Sequence, residues 1–329
     1  MPKPVSPRHG SMQFWPRKRA KRIYPRLRSY SKTKEKSITG FMGYKAGMTY
    51  VMMTDNYKHS ITKGEEIRVP VTVVECPPMR IAAVRFYKEN NKYMELKKQI
   101  NFKVNKQLKR KTNIPASKEQ LDKINPDDFD EITILIYTQP HLIKFKKKPE
   151  LFEIFISGSK EEKLALVKEK SDKEIHINDV FKAGNFVDVH AVTKGKGMQG
   201  PVKRFGINLK PHKSEKGRRR PGSLGPWVQQ GHVMYRAAFA GQTGYHQRTD
   251  YNKQILKINN SPEDINPKGG FRSYGTVKGE YLLIKGSIPG PKKRGVILTK
   301  PIRESKYEKE SEEAPDIHYI SKGSQQGLR

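Results

Sequence analysis

The chain contains one cysteine, Cys76, in 329 residues. A single thiol excludes an internal disulfide and any zinc cage built on cysteines, and it fits a reducing cytoplasm. No run approaches the ~18 consecutive apolar residues of a spanning helix, so a membrane is not an expected partner. Met1-Pro2-Lys3-Pro4 leads into further basic residues with no apolar stretch, and no secretory signal is expected. The nine histidines fall at no metal-binding spacing. The densest carboxylates, Asp127, Asp128 and Asp130, lie in a Pro/Asp turn before a strand, a place that suits capping and solvation. Ser214 and Ser223 lack the strand-turn-helix elbow that activates a nucleophile. Catalytic residues, a metal site and a cofactor are therefore not expected, and neither is an enzyme.

Acidic residues are also scarce. Against 33 Asp+Glu stand 66 Lys+Arg, a formal net charge of +33. Self-repulsion on this scale opposes compaction, so a polyanion must neutralise it in the working state. Nucleic acid is the expected one, because phosphates capture Lys and Arg while releasing condensed counterions.

The cations are unevenly spread. Residues 1–37 read as a basic extension, with twelve Lys/Arg and one acid, Glu35, over the first 36 positions. Pro2, Pro4, Pro7, Pro16 and Pro25 break any helix there. Phe14, Trp15, Tyr24 and Tyr30 lie among the charges, suited either to stacking on bases or to docking the arm on its own domain.

From Ile38 the texture becomes β. Ile38–Gly43 and Gly47–Met53 read as short strands around a glycine-containing turn, and Glu66–Glu75 as a strand whose Pro70 marks an edge or bulge. Gly279–Lys285 and Gly295–Thr299 add strands far downstream. The fold class expected is mainly β: a small barrel from 38–78, 184–200 and 245–303, carrying an α+β insertion at 79–183 and long non-globular basic extensions. Within the insertion, Met79–Phe86 and Lys92–Leu96 form a hairpin across Asn90-Asn91, and Glu131–Tyr137 and Leu151–Ile156 are apolar strands. Ser159-Lys160-Glu161-Glu162 is a capping box opening a helix to about Glu169. The insertion is expected to hold its own core. Residues 304–329 read as an acidic-leaning tail.

Residues 201–244 form a basic central loop. Ten Lys/Arg face one acid, Glu215, between 194 and 222. Gly195-Lys196-Gly197-Met198-Gln199-Gly200 matches G-x-G-x-x-G, but the dinucleotide fold needs a full crossover helix at the last glycine, and no apolar 3.6-residue pattern follows Pro201. What the glycines offer is backbone close enough for amides to meet a phosphodiester. Trp227 follows Gly225-Pro226, close after the Arg218-Arg219-Arg220 run, and is expected to stack in an RNA pocket or pack at a fingertip.

Phe181, Asp188, Ala191, Thr193, Gly195, Lys196, Gly197, Gly200 and Arg204, at these spacings, resemble the signature of the L-three family, the third protein of the large ribosomal subunit. Pro7-Arg8-His9-Gly10-Ser11, Gly40–Thr49 and Gly231–Thr249 resemble it too, and the likeness runs from residue 1 to about 303. The N-terminal form, the insertion and Arg218–Trp227 resemble the archaeal or eukaryotic type, with archaeal preferred.

The resemblance implies a translation-protein-type barrel on the subunit surface, with arm and loop threaded into large-subunit RNA toward the peptidyl transferase centre. It implies early entry into assembly, and Trp227 near the aminoacyl-tRNA path. Partners would be that RNA and neighbouring ribosomal proteins, with tRNA touched only indirectly and no homo-oligomer. Any Mg2+ or K+ would belong to the RNA. The RNA-binding residues expected are Arg8, His9, Arg17, Lys18, Arg19, Lys21, Arg22, Arg26 and Arg28 in the arm. In the loop they are Lys194, Lys196, Lys203, Arg204, Lys213, Lys216, Arg218, Arg219, Arg220 and Trp227, with His246 and Arg248 beyond it. A histidine that is methylated in eukaryotic members is replaced here by Ser214 or Glu215, with His212 displaced, so that modification is not carried over.

Overall fold

The structure is a computed structural model that describes all residues except 1–10, Met12, Lys32, Lys34, Lys92, 118–120, 122–123, Phe145, 226–232, 304–313 and 327–329. The chain divides into two compact units: Ile23–Ala191 with Arg248–Arg329, and Met1–Arg22 with Val192–Gln247.

The first part of the larger unit runs β1 (Ser37–Ile38), β2 (Gly40–Thr54), β3 (Glu66–Glu75), β4 (Met79–Asn90), β5 (Tyr93–Asn101), α1 (Lys106–Lys109), β6 (Glu131–Thr138), β7 (Leu151–Ser157), α2 (Lys160–Lys170) and β8 (Phe186–Val192). The smaller unit follows in sequence with β9 (Met198–Gln199), α3 (Pro201–Phe205) and β10 (Gly241–Gln242). The chain then continues through β11 (Gln247–Asn259), β12 (Tyr281–Lys285), β13 (Gly295–Thr299) and β14 (Ile317–Ile320). As expected, the protein is mainly β.

One sheet has the order β13-β8-β11-β12-β3-β2-β14. Because β13 also pairs with β2, six of its strands close into a ring, with β14 added outside. Alternation along its strands builds two cores. Val74, Leu282 and Ile284 enter one buried cluster, while Val71, Val73, Tyr281 and Leu283 enter another with Phe271. The second sheet, β1-β7-β6-β4-β5, is antiparallel at every pairing and carries α2.

Several expectations hold locally. The β4–β5 hairpin closes at Asn90↔Tyr93, with Asn91 at a positive φ of 42°. Ser159 Oγ accepts the Glu162 amide at 3.3 Å while Glu162 Oε2 accepts the Ser159 amide at 2.8 Å, so the capping box is closed. Pro70 pairs with Tyr50 of β2, while β12 ends opposite Val71 and only the Pro70 carbonyl is used on that side, accepting Gly286 N at 2.8 Å, so the missing proline N–H falls at the margin of the ladder.

Other expectations change. Gly40–Thr54 is one strand of 15 residues, not two around a turn. A bulge between Lys45 and Gly47 absorbs the irregularity, and a Cβ on Gly47 would lie 2.5 Å from the Phe271 ring. The 79–183 segment does not keep a separate main core: Phe41, Met42 and Val74 of the closed sheet share one buried cluster with Ile81, Ile134, Ile154 and Val167. Only Cys76-Pro77-Pro78 separate β3 from β4, so the two sheets pack together from the start. Part of the 304–329 segment is folded: Ile317–Ile320 pair with β2, Thr49 donates to Ser321 O at 2.8 Å, and Gln325 Nε2 donates to Met48 O at 2.8 Å. The outer edge of β2 offers unpaired backbone groups that a following strand satisfies.

Candidate nucleic-acid interface

The smaller unit has little interior. Among its described residues only Val192, Pro201, Phe205 and His246 are buried. Glu215 is the only acid in Met1–Arg22 and Val192–Gln247. In the larger unit carboxylates meet partners: Glu174 with Arg80 at 2.9 Å, Glu153 with Arg85 at 3.0 Å, Glu131 with Lys163 at 2.5 Å.

The glycine motif forms a strand rather than a nucleotide cradle. Gln199 pairs with Gly241 and Met198 with Gln242, antiparallel. A helix does open after the last glycine, but α3 is only five residues long and Gly206 ends it in the left-handed conformation at φ 68°. No parallel strand follows among the described residues, so the dinucleotide fold stays excluded. Lys196 N donates to Thr243 O at 2.9 Å and Thr243 N to Gly197 O at 2.8 Å, leaving the Lys194 and Lys196 side chains exposed.

The arm lies along this scaffold. Ala20 N donates to Tyr245 O at 2.8 Å. His246 Nδ1 is 2.8 Å from Lys18 O, and since a carbonyl only accepts, the proton sits on Nδ1. The His246 backbone exchanges bonds with Thr193, at 2.9 Å to its own carbonyl and 3.2 Å to Thr193 Oγ1. Arg19 lies 5.4 Å over the Tyr245 ring. Gly244 sits at φ 71°, and a side chain there would collide with Lys194 O.

At α3, Trp15 lies 6.0 Å from Phe205 and 6.3 Å, edge-on, from Tyr235. The Arg17 guanidinium sits 4.2 Å over Phe205 and donates to Arg204 O at 2.8 Å. Arg204 in turn donates to Gln242 O at 3.2 Å and Phe239 O at 2.9 Å, and desolvation pulls its pKa down.

The structure thus sorts the sequence-predicted residues. Arg17, Arg204 and His246 bind the smaller unit's own backbone, holding arm to loop. Lys18, Arg19, Lys21, Arg22, Lys194, Lys196 and Lys203 turn side chains to solvent, as do Lys213, Lys216, Arg218, Arg219 and Arg220. Lys210 N donates to Arg218 O, and Arg218 Nε to Lys210 O, both at 3.1 Å, which closes the short loop bearing Lys213 and Lys216.

Arg26 and Arg28 are exposed on the larger unit, and Arg248 is half-buried on β11. Arg8, His9 and Trp227 lie outside the described residues. Residues 23–31 do not continue the arm. Pro25 is buried, and Tyr24 and Leu27 pack on the larger unit's core. Tyr30 stacks on Phe155 at 3.6 Å and donates to Glu131 Oε2 at 2.9 Å; burial and Glu131 raise its pKa. The segment 194–199 pairs with 241–246, and the compact unit that contains the central loop runs over Val192–Gln247. Tyr235 and its turn escaped the sequence reading, although an aromatic beside Arg236 in a basic loop is a usable signal.

These features define a class: a mainly β protein with a well-packed unit and a second unit that presents cations on scant core. The chain matches the family model for Ribosomal protein L3 over residues 1–327, and it belongs to that family. It is 45% identical to the large ribosomal subunit protein uL3 of Methanothermobacter thermautotrophicus, with 98% of each chain covered. The uL3 proteins of Archaeoglobus fulgidus and Methanothrix thermoacetophila are each 44% identical, again over 98% of both chains. The archaeal form expected from the sequence agrees with these relatives. The family is one of structural ribosomal proteins and not of enzymes.

Proposed function

We propose that the chain is a structural constituent of the large ribosomal subunit in the cytoplasm and binds that subunit's RNA through its smaller unit. The observation that carries this is the segregation of charge. Exposed Lys and Arg, with Glu215 as the only acid, cover a unit with four buried residues among those described. Such a unit lacks the apolar burial that would offset its own repulsion, and closely packed phosphates supply the missing countercharge.

On this reading the arm and central loop extend toward the peptidyl transferase centre and the aminoacyl-tRNA path, where Trp227 would lie. The exposed faces of the larger unit meet neighbouring ribosomal proteins, and early binding helps the RNA fold during subunit assembly. The 98% coverage of both chains against archaeal uL3 proteins supports it.

Sedimentation tests it. The native protein is expected to co-migrate with the large subunit in high salt, and its binding to deproteinised large-subunit RNA should resist excess duplex DNA. A protein released by salt, or displaced equally well by DNA, is a general nucleic-acid compactor instead.

A further inference from the structure

The aromatic rings of the smaller unit are not equivalent. Phe205 is buried, and Trp15 packs between it and Tyr235. Tyr235 itself remains 65% exposed. It meets Trp15 in a T-shaped pair with centroids 6.3 Å apart, and the Arg236 guanidinium stands 5.4 Å from the ring centroid.

The ring is also held in place. Ala237 N donates to Met234 O at 3.0 Å, closing the turn that carries Tyr235, and Met234 N donates to Leu224 O at 2.9 Å. Phe239 O, two residues past the turn, takes the Arg204 guanidinium at 2.9 Å. Val233, Met234 and Phe239 are exposed alongside. A fixed aromatic ring among apolar neighbours calls for a flat apolar partner, whereas the exposed Lys and Arg of the same unit call for negative charge. An unpaired nucleotide meets both needs in one group: the base for the ring, the phosphate for the unit's exposed cations. A neutral or basic protein segment would meet the ring but not the charge.

We propose that Tyr235 is a stacking platform for an unpaired base of the bound RNA, set among the exposed cations of the smaller unit. This rests on the RNA-binding reading above and names a residue and a ligand class within it.

The test uses the full chain, deproteinised large-subunit RNA, and the variants Tyr235→Leu and Tyr235→Phe. Losing one base–aromatic stack should weaken binding about tenfold in Tyr235→Leu, whereas Tyr235→Phe should stay within about twofold of wild type. The slope of log K against log salt should not change in either, because every cation that meets a phosphate is retained. Ultraviolet crosslinking of the wild-type complex should join Tyr235 to a nucleotide. Wild-type affinity in Tyr235→Leu, or a Tyr235 crosslink to a protein in the whole subunit, would overturn the proposal while leaving RNA binding intact. Faster proteolysis of the arm in Tyr235→Leu, without a nucleotide crosslink in wild type, would make the residue a prop for Trp15. Wild-type protein that fails to bind the RNA would remove both readings together.

Discussion

His190 sits on β8, 6% exposed, with Nδ1 2.9 Å from Thr249 Oγ1 and Nε2 3.0 Å from Thr299 Oγ1. Those threonines belong to β11 and β13, so one imidazole bridges three strands of the closed sheet. Burial pushes its pKa down from 6.5 to about 4. In the unfolded chain the same ring titrates near its ordinary value of about 6.5. Between those two values the unfolded state binds more protons, so this stabilising contribution is full above pH 6.5 and is lost as pH falls through 4.

At about 1.36 kcal/mol per pKa unit the whole loss is about 3 kcal/mol, and about 2 kcal/mol of it has gone by pH 5. His190→Gln removes the titration and keeps a side chain that both donates and accepts. Urea unfolding of the full chain at pH 7.5 and pH 5, for wild type and variant, isolates the effect, because the other titrating groups cancel in the difference. The stability of wild type relative to His190→Gln should fall by about 2 kcal/mol between the two pH values. A difference that stays constant with pH would refute the assignment of a buried, neutral ring.

Two further outcomes follow from the geometry. Gly47→Ala places a Cβ 2.5 Å from the ring of Phe271, itself 1% exposed and unable to yield, so unfolding measurements should show a loss of about 1–3 kcal/mol. An unaffected midpoint would mean the bulge in β2 is not shaped by that ring. Replacing Arg218, Arg219 and Arg220 together with Ala should flatten the salt dependence of RNA binding by up to about 0.9 in slope for each phosphate no longer neutralised, with the unfolding midpoint unchanged. An unaltered slope would remove these residues from the interface.

The strands that carry apolar alternation were legible: β3, β4, β6, β7, β12 and β13 all lie where the sequence placed them. β11 was not. Its first seven residues, Gln247–Lys253, are polar, and pairing in the ring plus specific anchors hold them extended: Asp188 Oδ1 accepts the Asn252 amide at 3.0 Å, and His190 takes Thr249. β14 escaped because its residues follow an acidic stretch and find order only on the open edge of β2. The arm's aromatics divided for a similar reason. Tyr24 and Tyr30 dock on the larger unit and Trp15 on Phe205, choices that the spacing of charges along residues 1–37 does not encode.

Net charge, the scarcity of cysteine and the β-rich texture are sums over residues. They need no knowledge of which residue meets which, so the sequence alone pointed to a polyanion as partner and determined the mainly β class. The division of the cations required the fold. Arg17 and Arg204 are separated by 187 positions, yet one donates to the other's carbonyl. Lys18 and His246 are 228 apart and share a hydrogen bond. Chain closure over such separations depends on every element between, so only the tertiary structure decided which basic residues build the scaffold and which are left facing solvent.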